Sequence, residues 1–211
     1  MCGRTVTIDP QGVAEWFAIT QAPPEWFTAH FNVAPSQPIG VIRTPHRLEL
    51  LRWGIVREKG RPPQINTRVE SIAKTASRQR RCIVAVDGFY EWKRDGKVSQ
   101  PFLLRDVGGH PLALAGLWHS ATTADGEVVE SVSVLTCAPL PPVAAIHDRM
   151  PLVIPRDALD RWLRADADVT DLLSPKAANL IATPVSSYVN SPKHDDAKCI
   201  EPADPVQGAL F

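Results

Sequence analysis

Apolar and polar residues alternate along much of the chain in short runs, which are bounded by Gly, Pro, Asn and Asp and are typical of β-strands joined by turns. Helical spacing of apolar residues is confined to a few short segments. The first of them opens with Asp9 as a cap and Pro10 in the first turn. Helices are therefore predicted over residues 10–17, 70–79 and 159–163, and strands over 39–43, 48–53, 82–86, 89–94, 98–104, 112–118, 128–137, 152–154 and 180–189.

Two turns carry the Asp-Gly pair that favours a β-hairpin. Asp95-Gly96 and Asp125-Gly126 each lie between two predicted strands. Strands joined in this way pair antiparallel, and helices grouped at intervals then pack at the periphery. The pattern predicts an α+β fold with a mostly antiparallel, barrel-like sheet and peripheral helices, in a single domain over residues 1–211. Neither common glycine-rich phosphate loop occurs, so no cofactor is expected.

The composition is that of a globular protein, with 44% hydrophobic residues in a chain of 211. No apolar run approaches the ~18 residues of a membrane span, and no apolar stretch follows the amino terminus, so a cytoplasmic protein is expected. The four cysteines are widely spaced and the six histidines are scattered, which argues against disulfides and against a metal site. We expect a monomer with reduced thiols.

The net charge is zero, but the charges are unevenly distributed along the chain. Between Arg43 and Arg105 there are 15 Lys or Arg and 6 Asp or Glu, so this segment carries +9 and the remainder −9. If the segment folds onto one surface, it forms a basic face of the kind that binds phosphates. The alternative is that its charges are scattered around the molecule.

Cys2 has the most distinctive potential chemistry. Once Met1 is removed, Cys2 carries a free amine and a free thiol on adjacent carbons. Such a 1,2-aminothiol captures an aldehyde, because the amine forms an imine and the thiol then closes a five-membered thiazolidine. Both groups titrate within reach of neutral pH, at roughly 8 for the amine and about 8.5 for the thiol. The competing interpretation is an inert cysteine of the core.

Glu91 and His147 are candidates for proton transfer. Glu91 follows an apolar segment and, by strand alternation, shares a face with Ile83, Asp87 and Phe89. Burial there would raise the pKa of its carboxyl and allow it to act as a general acid near pH 7. His147 begins a polar cluster, and its imidazole titrates near neutrality. The alternatives are that Glu91 is a strand glutamate paired with an arginine and that His147 has a structural role.

Four residues are candidates for binding. Asn66 and Arg68 precede a predicted helix, where Asn66 either caps the helix or orients a reacting amine, and Arg68 can hold a phosphate. Trp53 follows Arg52 and Trp92 precedes a lysine. Aromatic side chains beside cations suit the unstacked bases of single-stranded nucleic acid. The alternative is that both tryptophans belong to the core.

Several short motifs, in their order along the chain, resemble those of the SRAP family, the SOS response-associated peptidase proteins that cross-link to abasic sites in single-stranded DNA. The resemblance covers nearly the whole chain. Each motif is weak alone, but together they are highly specific. They are MCGR at 1–4, FNVAP at 31–35, RWG at 52–54, NTRVE at 66–70, GFYEW at 88–92, AGLW at 115–118, HDRMP at 147–151 and VN at 189–190.

The resemblance implies that Cys2 is the nucleophile, that Asn66 positions it, and that Glu91 and His147 transfer protons. It also implies a set of contacts to single-stranded DNA, by Arg4 and Arg68 to phosphates and by Asn32, Pro35, Trp53, Trp92 and Arg149. The expected function is capture of abasic sites as a thiazolidine cross-link, which shields the lesion during replication. Lyase-like processing and self-removal of Met1 are the expected activities.

The chain departs from the family pattern after Gly54, where it is shorter and lacks a proline and a second tryptophan that members usually have. Two other functions remain open. Cys2 with His147 and Glu91 can form a cysteine hydrolase that removes Met1 or cleaves other substrates. The basic segment and the tryptophans can instead form a non-catalytic single-strand binding module.

Overall fold

The computed structural model describes residues 2–21, 25, 27–56, 62–72, 80–122, 126–176 and 179–203. Three short α-helices lie within these ranges: α1 (Pro10–Trp16), α2 (Val69–Ile72) and α3 (Leu159–Leu163). Short 3₁₀ helices form at Val143–Ala145, Arg156–Ala158, Thr170–Leu173, Ser187–Asn190 and Ala197–Ile200. The strands are β1 (Thr5–Thr7), β2 (His30–Val33), β3 (Pro38–Thr44), β4 (Arg47–Trp53), β5 (Asn66–Arg68), β6 (Arg81–Val86), β7 (Gly88–Asp95), β8 (Val98–Asp106), β9 (Leu112–Thr122), β10 (Val128–Cys137), β11 (Met150–Pro151) and β12 (Leu180–Pro184).

Five strands close into a barrel in the order β10-β4-β3-β6-β9, because β9 also pairs with β10. The β10–β4 pair is parallel, and the other pairs of the barrel are antiparallel. Near the end of β10, β5 pairs in parallel and aligns Asn66 with Val134, while β11 pairs antiparallel and aligns Met150 with Cys137. The segments that carry Asn66 and His147 therefore meet at the end of one strand.

A second sheet is antiparallel throughout, in the order β12-β8-β7-β1-β2. The chain passes from the barrel into this sheet at Asp87, between β6 and β7. The Asp87 carboxylate accepts the N–H groups of Ile8 and Asp9 at 2.5 and 2.9 Å, which ties the crossing to the segment after β1. Because β1 lies between β7 and β2, the amino-terminal strand is interior to the sheet.

One buried apolar cluster contains residues of both sheets, so the barrel and the second sheet share a core. The helix α3 covers the barrel: the Trp162 ring is buried, and its Nε1 donates to the carbonyl of Cys82 at 2.9 Å. The predicted α+β class, with a barrel-like and mostly antiparallel sheet and peripheral helices, is confirmed. The second sheet and the parallel pairs of β10 are additions to that prediction.

Two predicted strands are wrong in their extent. The strand predicted at 152–154 is instead β11, at Met150–Pro151. The ladder with one partner strand ends at Leu152, because the Leu152 N–H donates to Leu135 of β10 while the Leu152 carbonyl accepts the N–H of Ala115 in β9. The strand at 180–189 ends at Pro184, which has no N–H to continue the ladder. Beyond it, the chain forms the 3₁₀ helix Ser187–Asn190.

Other predicted elements lie wholly or partly in the described ranges, where the structure can be compared with the prediction. The helix at the amino terminus spans Pro10–Trp16, and the Asp9 side chain accepts the N–H of Gly12 at 2.9 Å, as expected of a cap. The Asp95-Gly96 hairpin joins β7 to β8. The helix predicted over 70–79 begins at Val69, and its residues 73–79 lie outside the described ranges, as does Asp125 of the other predicted hairpin.

Trp53, predicted to contact DNA bases, is a core residue. Its side chain is 0% exposed, and its Nε1 donates to the carbonyl of Ile65 at 3.0 Å. The indole therefore joins the end of β4 to the segment before β5 and presents no face to a ligand. The prediction of a base contact is corrected because strand alternation directs this side chain inward.

Replacing Trp53 with Phe is expected to lower the free energy of unfolding by about 1–3 kcal/mol, because the substitution removes a buried hydrogen bond and leaves a void. Urea unfolding measures the change as a lower midpoint at constant slope. The matched control is Val128→Ala, at an exposed position, for which we expect a change within about 0.5 kcal/mol. Unchanged stability in Trp53→Phe would contradict the core assignment.

Candidate active site

Two clefts adjoin each other along β7. The first, the Glu91 cleft, has a volume of about 570 Å³ and is lined by Arg68, Glu91, Trp92, Arg94, Ile146, His147, Asp148 and Arg149. The second, the Arg4 cleft, has a volume of about 410 Å³ and is lined by Gly3, Arg4, Pro35, Trp92, Arg94, Ser99 and Asn190. Because Trp92 and Arg94 line both, the two clefts form one continuous groove.

Cys2 lies beneath this groove, fully buried. Its carbonyl accepts a hydrogen bond from Asn66 Nδ2 at 2.8 Å, and its thiol donates to the carbonyl of Arg4 at 3.8 Å. Burial, and secondarily the negative charge of Glu91, raises the pKa of the thiol far above its ordinary value. Cys2 is therefore held as a neutral thiol, with its main chain fixed by Asn66.

Asn66 is positioned by the parallel pairing of β5 with β10. At one end of its amide, Nδ2 donates to the Cys2 carbonyl, as described above. The other end, Oδ1, is buried and accepts no hydrogen bond among the described residues. A buried acceptor without a donor is costly, so the side chain presents an open position for an N–H group next to Cys2.

Glu91 is buried on β7, with 1% of its surface exposed. Burial is the main cause that raises the pKa of its carboxyl to about 7, and the charge of Asp148 acts in the same direction. At neutral pH comparable fractions of the acid and the carboxylate are then present. Glu91 can therefore donate or accept a proton under physiological conditions. The predicted burial is confirmed, although Ile83 and Asp87 belong to the preceding strand and connection, and only Phe89 shares its strand.

His147 follows the 3₁₀ helix Val143–Ala145 and lies 25% exposed at the wall of the Glu91 cleft. Burial, together with the positive charge of Arg94, lowers the pKa of its imidazole, while Asp148 opposes the decrease. The ring is therefore mostly neutral at pH 7 and able to accept a proton. The structure brings Glu91 and His147 to the same cleft, as the sequence predicted.

Arg149 lines the Glu91 cleft, but its guanidinium is already engaged. Two of its nitrogens donate to the two carboxylate oxygens of Glu70 at 2.8 and 2.9 Å, and one also donates to the Thr136 carbonyl at 2.5 Å. The Arg149 fork lowers the pKa of Glu70 to about 2. A contact between Arg149 and a phosphate therefore requires exchange of Glu70, and in this structure the pair joins α2 to the turn before β11.

The remaining predicted binding residues divide into two groups. Arg4, Pro35 and Trp92 line the Arg4 cleft, and Arg68 lines the Glu91 cleft. Asn32 is in neither: it is fully buried, and its amide donates to the carbonyls of residues 189, 191 and 194 at 3.1, 2.9 and 2.8 Å. The prediction that Asn32 contacts DNA is corrected, because these bonds use its amide to anchor the carboxy-terminal segment on β2.

Arg94 and Asp148 line the groove and were not singled out from the sequence. The available signal for Arg94 was its position two residues after Trp92, since alternate residues of a strand share a face. The Trp92 ring is held at one edge by a hydrogen bond from Nε1 to Asn190 at 2.7 Å, and the Arg4 guanidinium lies 5.9 Å from its centroid. The groove thus combines an aromatic face with cations.

The basic middle segment forms one face only in part. Arg68 and Arg94 line the groove. Arg81 is buried and donates to the carbonyls of Trp162 and Arg164, and Arg43 is held by Glu49 and Glu130 at 2.6 and 2.5 Å. These arginines stabilise the fold, so the positive potential of the groove depends on fewer residues than the charge count predicts.

No group of three or more His, Cys, Asp or Glu in the described ranges is arranged to hold a metal ion. No helix among the same residues has the length and apolar character needed to cross a membrane.

This small α+β protein thus combines a buried cysteine, held by an asparagine amide, with a buried glutamate and a histidine that line one cationic, aromatic groove. The family model of the SOS response associated peptidases (SRAP) matches residues 1–192. The chain therefore belongs to the SRAP family.

Relatives and solved structures agree with this assignment. The chain is 35% identical to the abasic site processing protein YoqW of Bacillus subtilis, over 95% of this chain and 99% of that protein. It is 30% identical to the abasic site processing protein YedK of Escherichia coli, over 82% and 84%. A solved structure from Bacteroides thetaiotaomicron, 18% identical, matches its fold with a TM-score of 0.83 over 96% of this chain and all of that one.

Because the pKa of Glu91 is raised, the free energy of unfolding is expected to depend on pH. Because the folded protein binds this proton more tightly than the unfolded chain, the unfolding free energy contributed by Glu91 is retained below pH 4.5 and is lost as the pH rises to about 7. Glu91→Gln mimics the protonated acid. We expect this variant to be more stable than wild type at pH 8, by roughly 3 kcal/mol, and equally stable at pH 4.

Urea unfolding at pH 4, 6 and 8 measures this difference. The control Glu15→Gln, at an exposed helix position, should follow the wild-type pH dependence. A constant difference between Glu91→Gln and wild type at all three pH values would show that the pKa of Glu91 is the same in the folded protein and in the unfolded chain, against the assignment.

Proposed function

We propose that this protein captures abasic sites in single-stranded DNA through a covalent thiazolidine at Cys2, after removal of Met1. The printed names of its relatives, which are abasic site processing proteins, support an aldehyde lesion of DNA as the substrate. The observation that carries the proposal is the hydrogen bond of Asn66 to the Cys2 carbonyl at 2.8 Å beside an open, buried acceptor. The freed α-amine of Cys2 has a donor for that acceptor.

The first steps form an imine. The abasic deoxyribose opens to its aldehyde as Glu91 supplies a proton to the ring oxygen, for which a pKa of about 7 is suited, and the C1′ hydroxyl releases its own proton to water. The α-amine of Cys2, oriented by Asn66, adds to C1′, and its excess proton passes to His147. Return of a proton to the carbinol oxygen releases water and leaves the imine.

The thiol then decides the outcome. Sγ of Cys2 bonds to C1′ as the thiol proton reaches the imine nitrogen, which closes the thiazolidine without any further co-reactant. A bare imine drifts toward β-elimination and strand cleavage, whereas ring closure removes the imine and leaves the strand intact. The cross-link is therefore a shield for the lesion, and His147 can return a proton in the reverse direction.

The groove suits a single strand. Trp92 offers a face on which an unstacked base can lie, and Arg4, Arg68 and Arg94 supply charges for phosphates on both sides of it. A duplex buries its base faces, so it gains less from such a groove.

A thiol hydrolase acting on other peptides is the less favoured function. Such an enzyme needs a thiolate, and thiolates are stabilised by partial exposure and positive charge. The Cys2 thiol has the opposite environment, because it is buried, donates to a carbonyl and has its pKa raised by burial and by Glu91. Removal of its own Met1 is compatible with the proposal, since the amine must be freed.

The decisive experiment is intact mass spectrometry after incubation with a single-stranded abasic oligonucleotide. We expect an SDS-resistant adduct whose mass is that of the chain from Cys2 plus the DNA, minus one water. Cys2→Ala keeps the amine and lacks the thiol, so it should give strand cleavage and an adduct only after borohydride reduction. The matched variant Cys2→Ser controls for the polarity of the side chain.

Stable cross-linking by Cys2→Ala at the wild-type rate would falsify the thiazolidine. Binding of the intact strand without any adduct in wild type would favour the non-catalytic module instead. Turnover of an unrelated peptide by wild type, lost in Cys2→Ala, would support the hydrolase.

Arg94→Gln tests the groove separately from the chemistry. Removal of one phosphate contact should weaken binding to undamaged single strands and make the slope of log K against log salt shallower by about 0.7. Fluorescence anisotropy between 50 and 200 mM salt measures both quantities. Arg164→Gln, an exposed arginine that does not line the groove, is the control with an unchanged slope.

A further inference from the structure

The imidazole of His147 has two neighbours of opposite hydrogen-bonding character at the same nitrogen. The main-chain N–H of Arg149 donates to Nδ1 at 3.0 Å, while Oδ1 of Asp148 lies 2.8 Å from the same atom. A nitrogen that accepts from Arg149 carries no proton, whereas a nitrogen that donates to a carboxylate must carry one. The two contacts therefore belong to different protonation states of the ring.

The choice between them decides what His147 can do in the cleft. Both contacts are at Nδ1, and Nε2 is the nitrogen on the other side of the ring. With the proton on Nδ1, a neutral imidazole has a lone pair on Nε2 and can act as a base. With Arg149 as the partner, the proton is on Nε2 and the neutral ring is a donor.

We propose that Asp148 is a positioning residue that keeps the proton on Nδ1 of His147 and so makes Nε2 the base of the reaction. This inference rests on the proposed function for its consequence, but the tautomer itself is a property of the free protein. The arrangement is the one by which an aspartate orients a catalytic histidine in hydrolase triads. Arg149 then acts on the ring through its main chain, as the competing partner.

The placement of Asp148 indicates that it affects the rate of cross-linking and does not increase the affinity for DNA. Its side chain is 87% exposed and lines the Glu91 cleft together with Arg68, Arg94 and Arg149. A carboxylate in that position repels the phosphates that the arginines attract. Asp148 therefore opposes binding of DNA, and any benefit to the reaction comes through the groups it contacts.

The charges around His147 define the expected pH dependence. Asp148 raises the pKa of both His147 and Glu91, so its removal lowers both values. The reaction requires neutral His147 and protonated Glu91, which gives a bell-shaped profile, and both limbs should move to lower pH. The other charged groups that line the cleft are unchanged in this comparison; they are Arg68, Arg94, Arg149 and, in the mature chain, the α-amine of Cys2.

The first measurement is the tautomer of His147 by ¹⁵N NMR of the mature chain without DNA, with His147→Gln assigning the signal. We expect the proton on Nδ1 in wild type and on Nε2 in Asp148→Ala, with Asp148→Glu restoring the wild-type tautomer. A wild-type ring protonated on Nε2, or a tautomer that is the same in Asp148→Ala, would overturn the proposal.

The second measurement is the cross-linking rate between pH 5 and 9 together with the Kd for an undamaged strand. Asp148→Ala should cross-link at least fivefold more slowly than wild type at pH 7.5. It should bind the undamaged strand no more weakly than wild type, and both limbs of its pH–rate profile should lie at lower pH. A lower rate with unmoved limbs would overturn the proposal. Absence of any adduct in wild type would instead refute the proposed function, and the NMR result would still decide the tautomer.

Discussion

The pairing of β1 between β2 and β7 is the constraint on which the site depends. Thr5 aligns with Phe89 on one side and Val33 on the other, and the N–H of Tyr90 donates to the Arg4 carbonyl at 3.0 Å. The amino-terminal residues are thereby held inside the protein. Gly88 lets β7 lie between β8 and β1, because a Cβ there would be 2.6 Å from the Leu104 carbonyl oxygen of β8 and 3.2 Å from a methyl group of Val6 in β1. Most chain termini fray, but here the residues from Cys2 to Thr7 are held by Asn66 and by the neighbouring strands.

One physical cause acts in opposite directions on the two proton-transfer residues. Desolvation disfavours the charged form of each, so it raises the pKa of the Glu91 carboxyl and lowers that of the His147 imidazole. Near pH 7 the acid is therefore present in both of its forms beside a neutral base, a combination that allows proton transfer in both directions. The same effect raises the pKa of the Cys2 thiol and keeps it protonated.

The correct and incorrect sequence predictions differ in the range of the interactions they depend on. The Asp9 cap and the Asp95-Gly96 hairpin are local, and both formed as predicted. Trp53 and Asn32 were assigned to DNA from their motifs, but their partners are Ile65 and a loop about 160 residues away. Local pattern cannot distinguish an exposed aromatic or amide from one whose hydrogen bonds are made inside the fold.

The sequence by itself determined the α+β class, the aminothiol that Cys2 can expose, and the identities of the residues that surround it, because composition, turn chemistry and motifs are properties of neighbouring residues. Only the tertiary structure decided that Asn66 bonds to Cys2 and that Glu91 is buried enough to titrate near 7. Those features depend on distances between distant segments and on exclusion of water, and neither quantity exists until the barrel and the second sheet have packed together.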